Sequence, residues 1–164
     1  MSIIDTLITD RSTADTVALE SLFAKAKAGN ITDEEWAILA DPANKGAYNY
    51  TDLNRVNAAM DYLAARLRGY GYAVVGHQSD GRAWTGEDIP TPAQMAQYIM
   101  NAAAIRAALT VLPTTPAVPD DMEDLTVDEA NAIERILADV EVQLVIMATT
   151  FIPSGEALCG GDNL

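Results

Sequence analysis

Three stretches of this chain repeat one apolar spacing. Leu53, Val56, Met60, Leu63 and Leu67 form the first; Met95, Tyr98, Ala102, Ile105, Leu109 and Leu112 the second; Ala130, Ile133, Leu137, Val140, Leu144 and Met147 the third. Steps alternating between three and four residues place each set on one narrow face of an α-helix. Such a seam must be buried against another element. The economical arrangement is an antiparallel bundle of three long helices, with short accessory helices beside it. A chain of 164 residues can bury a core of this kind without staples.

Capping signals set the helix boundaries. A first helix is expected from Thr13, as its cap, to about Ala28, with Lys25 and Lys27 in its last turn and Gly29 in the left-handed position beyond it. Thr32-Asp33-Glu34-Glu35 is a capping box, and Ile31 and Trp36 occupy the two staple positions around it. Asp41-Pro42 closes that short helix. Thr51 is expected to cap the first long helix, to about Arg68. Thr91-Pro92-Ala93-Gln94 opens the second, with proline where its missing N–H costs nothing. Thr126-Val127-Asp128-Glu129 opens the third.

The segments between them differ in character. Residues 43–50 read as a loop. Residues 69–90 mix aromatic and β-branched residues with the turn sequence Ser79-Asp80-Gly81, predicting a small β-hairpin or an ordered excursion. Three prolines, Pro113, Pro116 and Pro119, keep their segment extended; at ~3 Å per residue it can return along a helix. The chain divides into a docking segment (1–10), a bundle (11–150) and a glycine-rich tail (151–164) in which Phe151 and Ile152 should be docked.

Charge and composition exclude several functions. Ten Lys and Arg stand against 24 Asp and Glu, a net charge of −14. Such a chain cannot neutralise nucleic-acid phosphates or favour an anionic membrane. No apolar run is long enough for a membrane helix, and Met1–Asp10 lacks the basic start of a signal peptide. One cysteine, Cys159, and one histidine, His77, leave no internal disulfide and no Cys/His metal cluster. Asp80-Gly81 with Glu87 and Asp88 lacks the alternating ligands of a calcium loop and reads as a turn. No phosphate cradle or nucleophile–base pair is present, so the expectation is a protein without catalytic residues, metal or cofactor.

Interaction surfaces remain. Ile3, Ile4, Leu7 and Ile8 are too apolar for a free tail; they should dock on the chain's own core or on a neighbouring subunit. Tyr48, Tyr50, Tyr72 and Trp84 lie in or beside loops and, with Phe151 and Ile152, complete the set of candidate interface residues. From Asp120 onward eleven acids face Arg135 alone. The last helix is therefore expected to show an almost purely acidic outer face, either simply solvated or offered to a basic partner.

Several blocks together resemble one family. They are Thr9-Asp10-Arg11-Ser12-Thr13-Ala14-Asp15; Lys45-Gly46-Ala47-Tyr48-Asn49-Tyr50-Thr51-Asp52-Leu53-Asn54-Arg55-Val56 with Tyr62-Leu63-Ala64; Trp84 through Pro92 with Gln94-Met95; and Phe151 to Glu156. Across nearly the whole chain they resemble small proteins, and N-terminal modules of larger ones, encoded among the tail genes of phages and prophages of Firmicutes. The resemblance implies a non-enzymatic virion component of the tail tip, baseplate or fibre attachment. It would be made in the host cytoplasm and function as a homo-oligomer among other tail proteins. The rival expectation is an acidic phage-encoded inhibitor that mimics DNA against a host nucleic-acid enzyme.

Overall fold

The computed structural model describes residues 2–150, and they are mainly helical. A 3-10 turn spans Ile3–Thr6, followed by α1 (Thr13–Lys27), α2 (Asp33–Leu39), α3 (Tyr50–Gly69), α4 (Pro92–Ala107) and α5 (Val127–Thr150). The capping boxes at Thr32, Thr91 and Thr126 form as the sequence predicts. Two starts shift upstream. Ser12 rather than Thr13 caps α1, paired with Asp15, and Asn49 rather than Thr51 caps α3, paired with Asp52. Gly29 adopts the expected left-handed conformation, φ 72°. Helix α4 stops at Ala107, so Leu109 and Leu112 of the expected seam lie beyond it.

The seams meet one another. Leu53, Val56, Met60, Leu63 and Leu67 of α3, Tyr98, Ala102 and Ile105 of α4, and Ile133, Leu137, Val140 and Leu144 of α5 belong to one buried cluster. Helices α3, α4 and α5 contact each other pairwise.

Their direction is not antiparallel. Arg55 meets Glu134 at 2.7 Å, Arg66 meets Glu141, and Tyr72, just past α3, reaches the Met147 sulfur at 3.7 Å. Partners thus advance together along α3 and α5. Tyr48, just before α3, bonds Tyr98 in the second turn of α4, while the mid-α3 residue Asp61 contacts His77 and Ser79, the neighbours of Gln78, which bonds Asn101 of α4. Arg106, at the end of α4, binds the carbonyls of Thr115 and Pro116, and Thr115 binds Asp139. Met95, near its start, shares a groove with Asp120–Glu123, which lead into α5. All three long helices therefore run the same way. The seam pattern has no polarity, so it could not distinguish the two arrangements. Connection length could: antiparallel neighbours need only short loops, whereas residues 70–91 and 108–126 climb back along the bundle.

These return segments, and the stretch before α1, act as straps. The first, residues 2–12, packs Ile3, Ile4 and Leu7 against α3 and α5. The second, 70–91, lies between α3 and α4, with Val74 and Trp84 buried and Val75 turned out. It contains no strand, so the expected hairpin does not form. The third, 108–126, joins α4 to α5. Helices α1 and α2 pack on each other and have few contacts with the long helices; Leu19 is the one buried residue of the two.

Candidate functional site

The richest side-chain cluster lies where the first strap crosses α3 and α5. Arg11 is 6% exposed and Glu134 not at all. The Arg11 guanidinium sits 2.8 Å from both Asp52 and Glu134, and Arg55 completes the square at 2.6 and 2.7 Å from the same carboxylates. Two cations and two anions cancel, which makes their burial tolerable. Backbone groups take up further valences, while the Arg11 Nε is buried without a hydrogen-bond partner. The Ile8 N–H donates to Glu134 (2.6 Å), the Asn49 N–H to Asp52 (2.9 Å), and Arg11 donates to the Ile8 carbonyl (3.0 Å). Arg11 also lies over the Tyr48 ring, 5.1 Å from its centre. Burial raises the Tyr48 phenol, with the Glu134 charge adding to it, and raises Tyr98 likewise; the two hydroxyls share a 2.5 Å hydrogen bond. Both stay protonated, and the pair acts as a fastening.

A second device occurs three times. The Asn54 amide accepts from the Trp84 N–H (2.7 Å) and donates to the Trp84 carbonyl (2.8 Å). Asn101 grips Gln78 in the same way at 2.9 and 3.0 Å, and Asn131 grips Arg11 at 3.0 and 2.8 Å. Each side-chain amide supplies the donor and acceptor that a neighbouring strand would have supplied. Helices thereby hold extended straps without a sheet.

The candidate interface residues mostly turn inward. Ile3, Ile4, Leu7, Tyr48 and Tyr72 pack on the core, Ile8 bonds Glu134 through its backbone, and Trp84 is 3% exposed. Tyr50 is more open and lies beside Gly86. Phe151 and Ile152 fall outside the described residues. The apolar side chains that face solvent include Phe23, Trp36, Ile38, Ile89 and Met100, and the uncharged stripe Val142, Val145 and Ile146, none of them in the candidate interface set. Arg11, Asp52, Arg55 and Glu134 were not read as a cluster, although Glu134, four residues after Ala130 and three before Leu137, flanks the seam.

The acidic-face expectation is also corrected. Glu134 and Asp139 are buried, Asp139 accepts from Arg135 and Thr115, and Glu141 pairs with Arg66. Exposed acids concentrate instead at Asp120–Asp128, ahead of α5 and in its first turn. Asp80 and Asp88 organise turns, as expected. Asp80 accepts from the Arg82 N–H, and Asp88 accepts from the Thr85 N–H and hydroxyl and from Arg82. The Thr85 contacts, then Arg82, hold the Asp88 carboxyl down at about 2. His77 is nearly enclosed, and burial lowers it, against the pull of Asp61. Between the second strap and α3 and α4 lies an open groove of about 590 Å³, bordered by Asn57, Arg82, Trp84, Gln97 and Asn101. Among the described residues no group of three His, Cys, Asp or Glu side chains is arranged to hold a metal, and no helix is long and apolar enough to cross a membrane. No protein-family model, curated protein or solved structure matches the chain.

Proposed function

We propose that this protein is a non-enzymatic structural component of a phage particle, part of the tail, baseplate or fibre attachment, and that it works as a homo-oligomer held among other tail proteins. One observation supports this above others. The blocks that carry the family resemblance converge on the fastenings: Arg11 from the first; Asp52, Asn54 and Arg55 from the second; Trp84 and Asp88 from the third. Their chemistry is spent on fixing straps to helices, which suits a part whose task is to keep its shape under load. The exposed Phe23, Trp36 and Ile89 supply apolar area for neighbours. A DNA mimic would need carboxylates spread along one face, whereas α5 turns Glu134 and Asp139 inward. Mass spectrometry of purified particles tests the proposal. The chain should be present at a fixed ratio to the major tail proteins; its absence from particles that contain all other tail components would sink it.

A further inference from the structure

Beside the start of α4 lies a second groove, of about 510 Å³. Its floor is Met95, Ile99 and Met100, and its rim is Asp120, Asp121 and Glu123. Met100 is half exposed, and the adjoining Ile89 is 88% exposed. None of the three rim acids meets a Lys or Arg among the described residues. Apolar floor and anionic rim together call for an apolar side chain next to a cation. The chain carries that pair on α1. Phe23 is 57% exposed, and Lys27 is one turn further along the same face, the i,i+4 neighbour. Lys25 pairs with Glu35, while Lys27 has no ionic partner among the described residues.

We propose that this groove receives α1 of a second copy of the chain, with Phe23 on the methionine floor and Lys27 against the acidic rim. The proposal rests on the assembly reading above and gives it a contact. Two copies each carrying −14 repel over most of their surfaces. The α1 end and this groove are complementary in both charge and polarity. Because they are different patches of one chain, every copy offers both, and the contact is heterologous: repeated, it closes a ring or extends a filament.

Cysteine pairing tests it, with Cys159→Ser in every protein so that the native thiol cannot compete. Phe23→Cys and Met100→Cys copies, mixed at high micromolar concentration and oxidised, should cross-link to each other. Cross-links only between like variants overturn the proposal. In sedimentation the oligomer should weaken about tenfold with Lys27→Glu or with Asp121→Lys, and recover when both are placed in one chain. Phe23→Ser should weaken it about thirtyfold. Phe23, Lys27, Met100 and Asp121 are exposed, so an unchanged helical circular dichroism spectrum certifies the fold. A monomeric profile throughout overturns the proposal, as does failure of the double charge swap to restore assembly. A monomer that is nonetheless found in particles would give the groove to another tail protein and leave the structural role standing. A head-to-tail oligomer absent from particles would do the reverse.

Discussion

Asn54 and Trp84 hold each other as adjacent strands would, the side-chain amide of one closing both backbone bonds of the other at 2.7 and 2.8 Å. Asn131 does the same for Arg11, and both asparagines stand five residues after the N-cap of their helix, Asn49 and Thr126. The equivalent place on α4 is Ala96, and there the work passes to Asn101 and Arg106. Once the three helices run the same way, every connection must climb a groove, and a climbing strap has backbone groups with no sheet to pair them. The asparagines answer that need.

Asn54→Ala should therefore cost more than an ordinary substitution at a half-buried polar position. It removes both partners of a backbone pair beside a buried indole, and leaving such groups unpaired costs about 1–3 kcal/mol. Urea unfolding should show a lower midpoint with an unchanged slope. An unchanged midpoint would mean that water replaces the amide fully and that the clamp contributes nothing.

Glu134 is the sharper test of the buried square. Glu134→Ala leaves Arg11 and Arg55 sharing Asp52 alone and removes the acceptor of the Ile8 N–H. Breaking a buried ion pair from one side typically costs about 3–5 kcal/mol. Because Ile8 and Arg11 both belong to the first strap, that strap should loosen first. Backbone amide exchange at residues 2–12 should accelerate before the core of α3 does. Uniform acceleration throughout would show that the strap is no separable unit.

Much of this architecture was legible in the sequence, and what was not has definite causes. The boxes at Thr32, Thr91 and Thr126 are local chemistry, complete within four residues, and they form as read. The apolar stripes find their core because period alone decides which face is buried. Direction is a property of connections, and the extended prolines of 112–119 already indicated a return path without revealing that residues 70–91 form another. Ala73-Val74-Val75 has the composition of a strand, but its neighbours are helices, so Val74 packs inward, Val75 faces solvent, and no ladder forms. Asp52 and Arg55 are i,i+3 neighbours on α3, but the ion square was invisible because Arg11 and Glu134 join them only in the tertiary fold.

Gly46 fixes how the α1–α2 pair sits. A Cβ there would overlap the Asp15 carbonyl and press on the Leu19 Cβ at 2.9 Å. Leu19 is the one buried side chain of α1, and the Lys45–Asp10 pair beside it is largely solvent-exposed and adds little. Gly46→Ala should displace the pair while sparing the bundle. Limited proteolysis should then cut within residues 13–42 and leave a resistant fragment containing α3 to α5. Loss of the whole fold at once would show that the pair and the bundle form one cooperative unit.

Acid should release the second strap in two steps. Burial lowers His77 below its ordinary 6.5, so the fold prefers the neutral ring. Its contribution is complete above that value and fades as the pH falls below it, because the unfolded chain takes up the proton first. Asp61 moderates the effect and Arg68 reinforces it. Asp88 behaves similarly further down: it is held at about 2 against an ordinary 3.8, and its contribution is present above 3.8 and lost between those values. The Gln78 and Trp84 amides, each donated to an asparagine, report on the two ends of the strap. Their exchange, corrected for intrinsic rate, should rise first at Gln78, below the ordinary imidazole value of 6.5, and at Trp84 only below the ordinary carboxyl value of 3.8. His77→Gln should abolish the first step and Asp88→Asn the second. A strap whose two amides respond together, in a single transition, would contradict this assignment of the steps to separate groups.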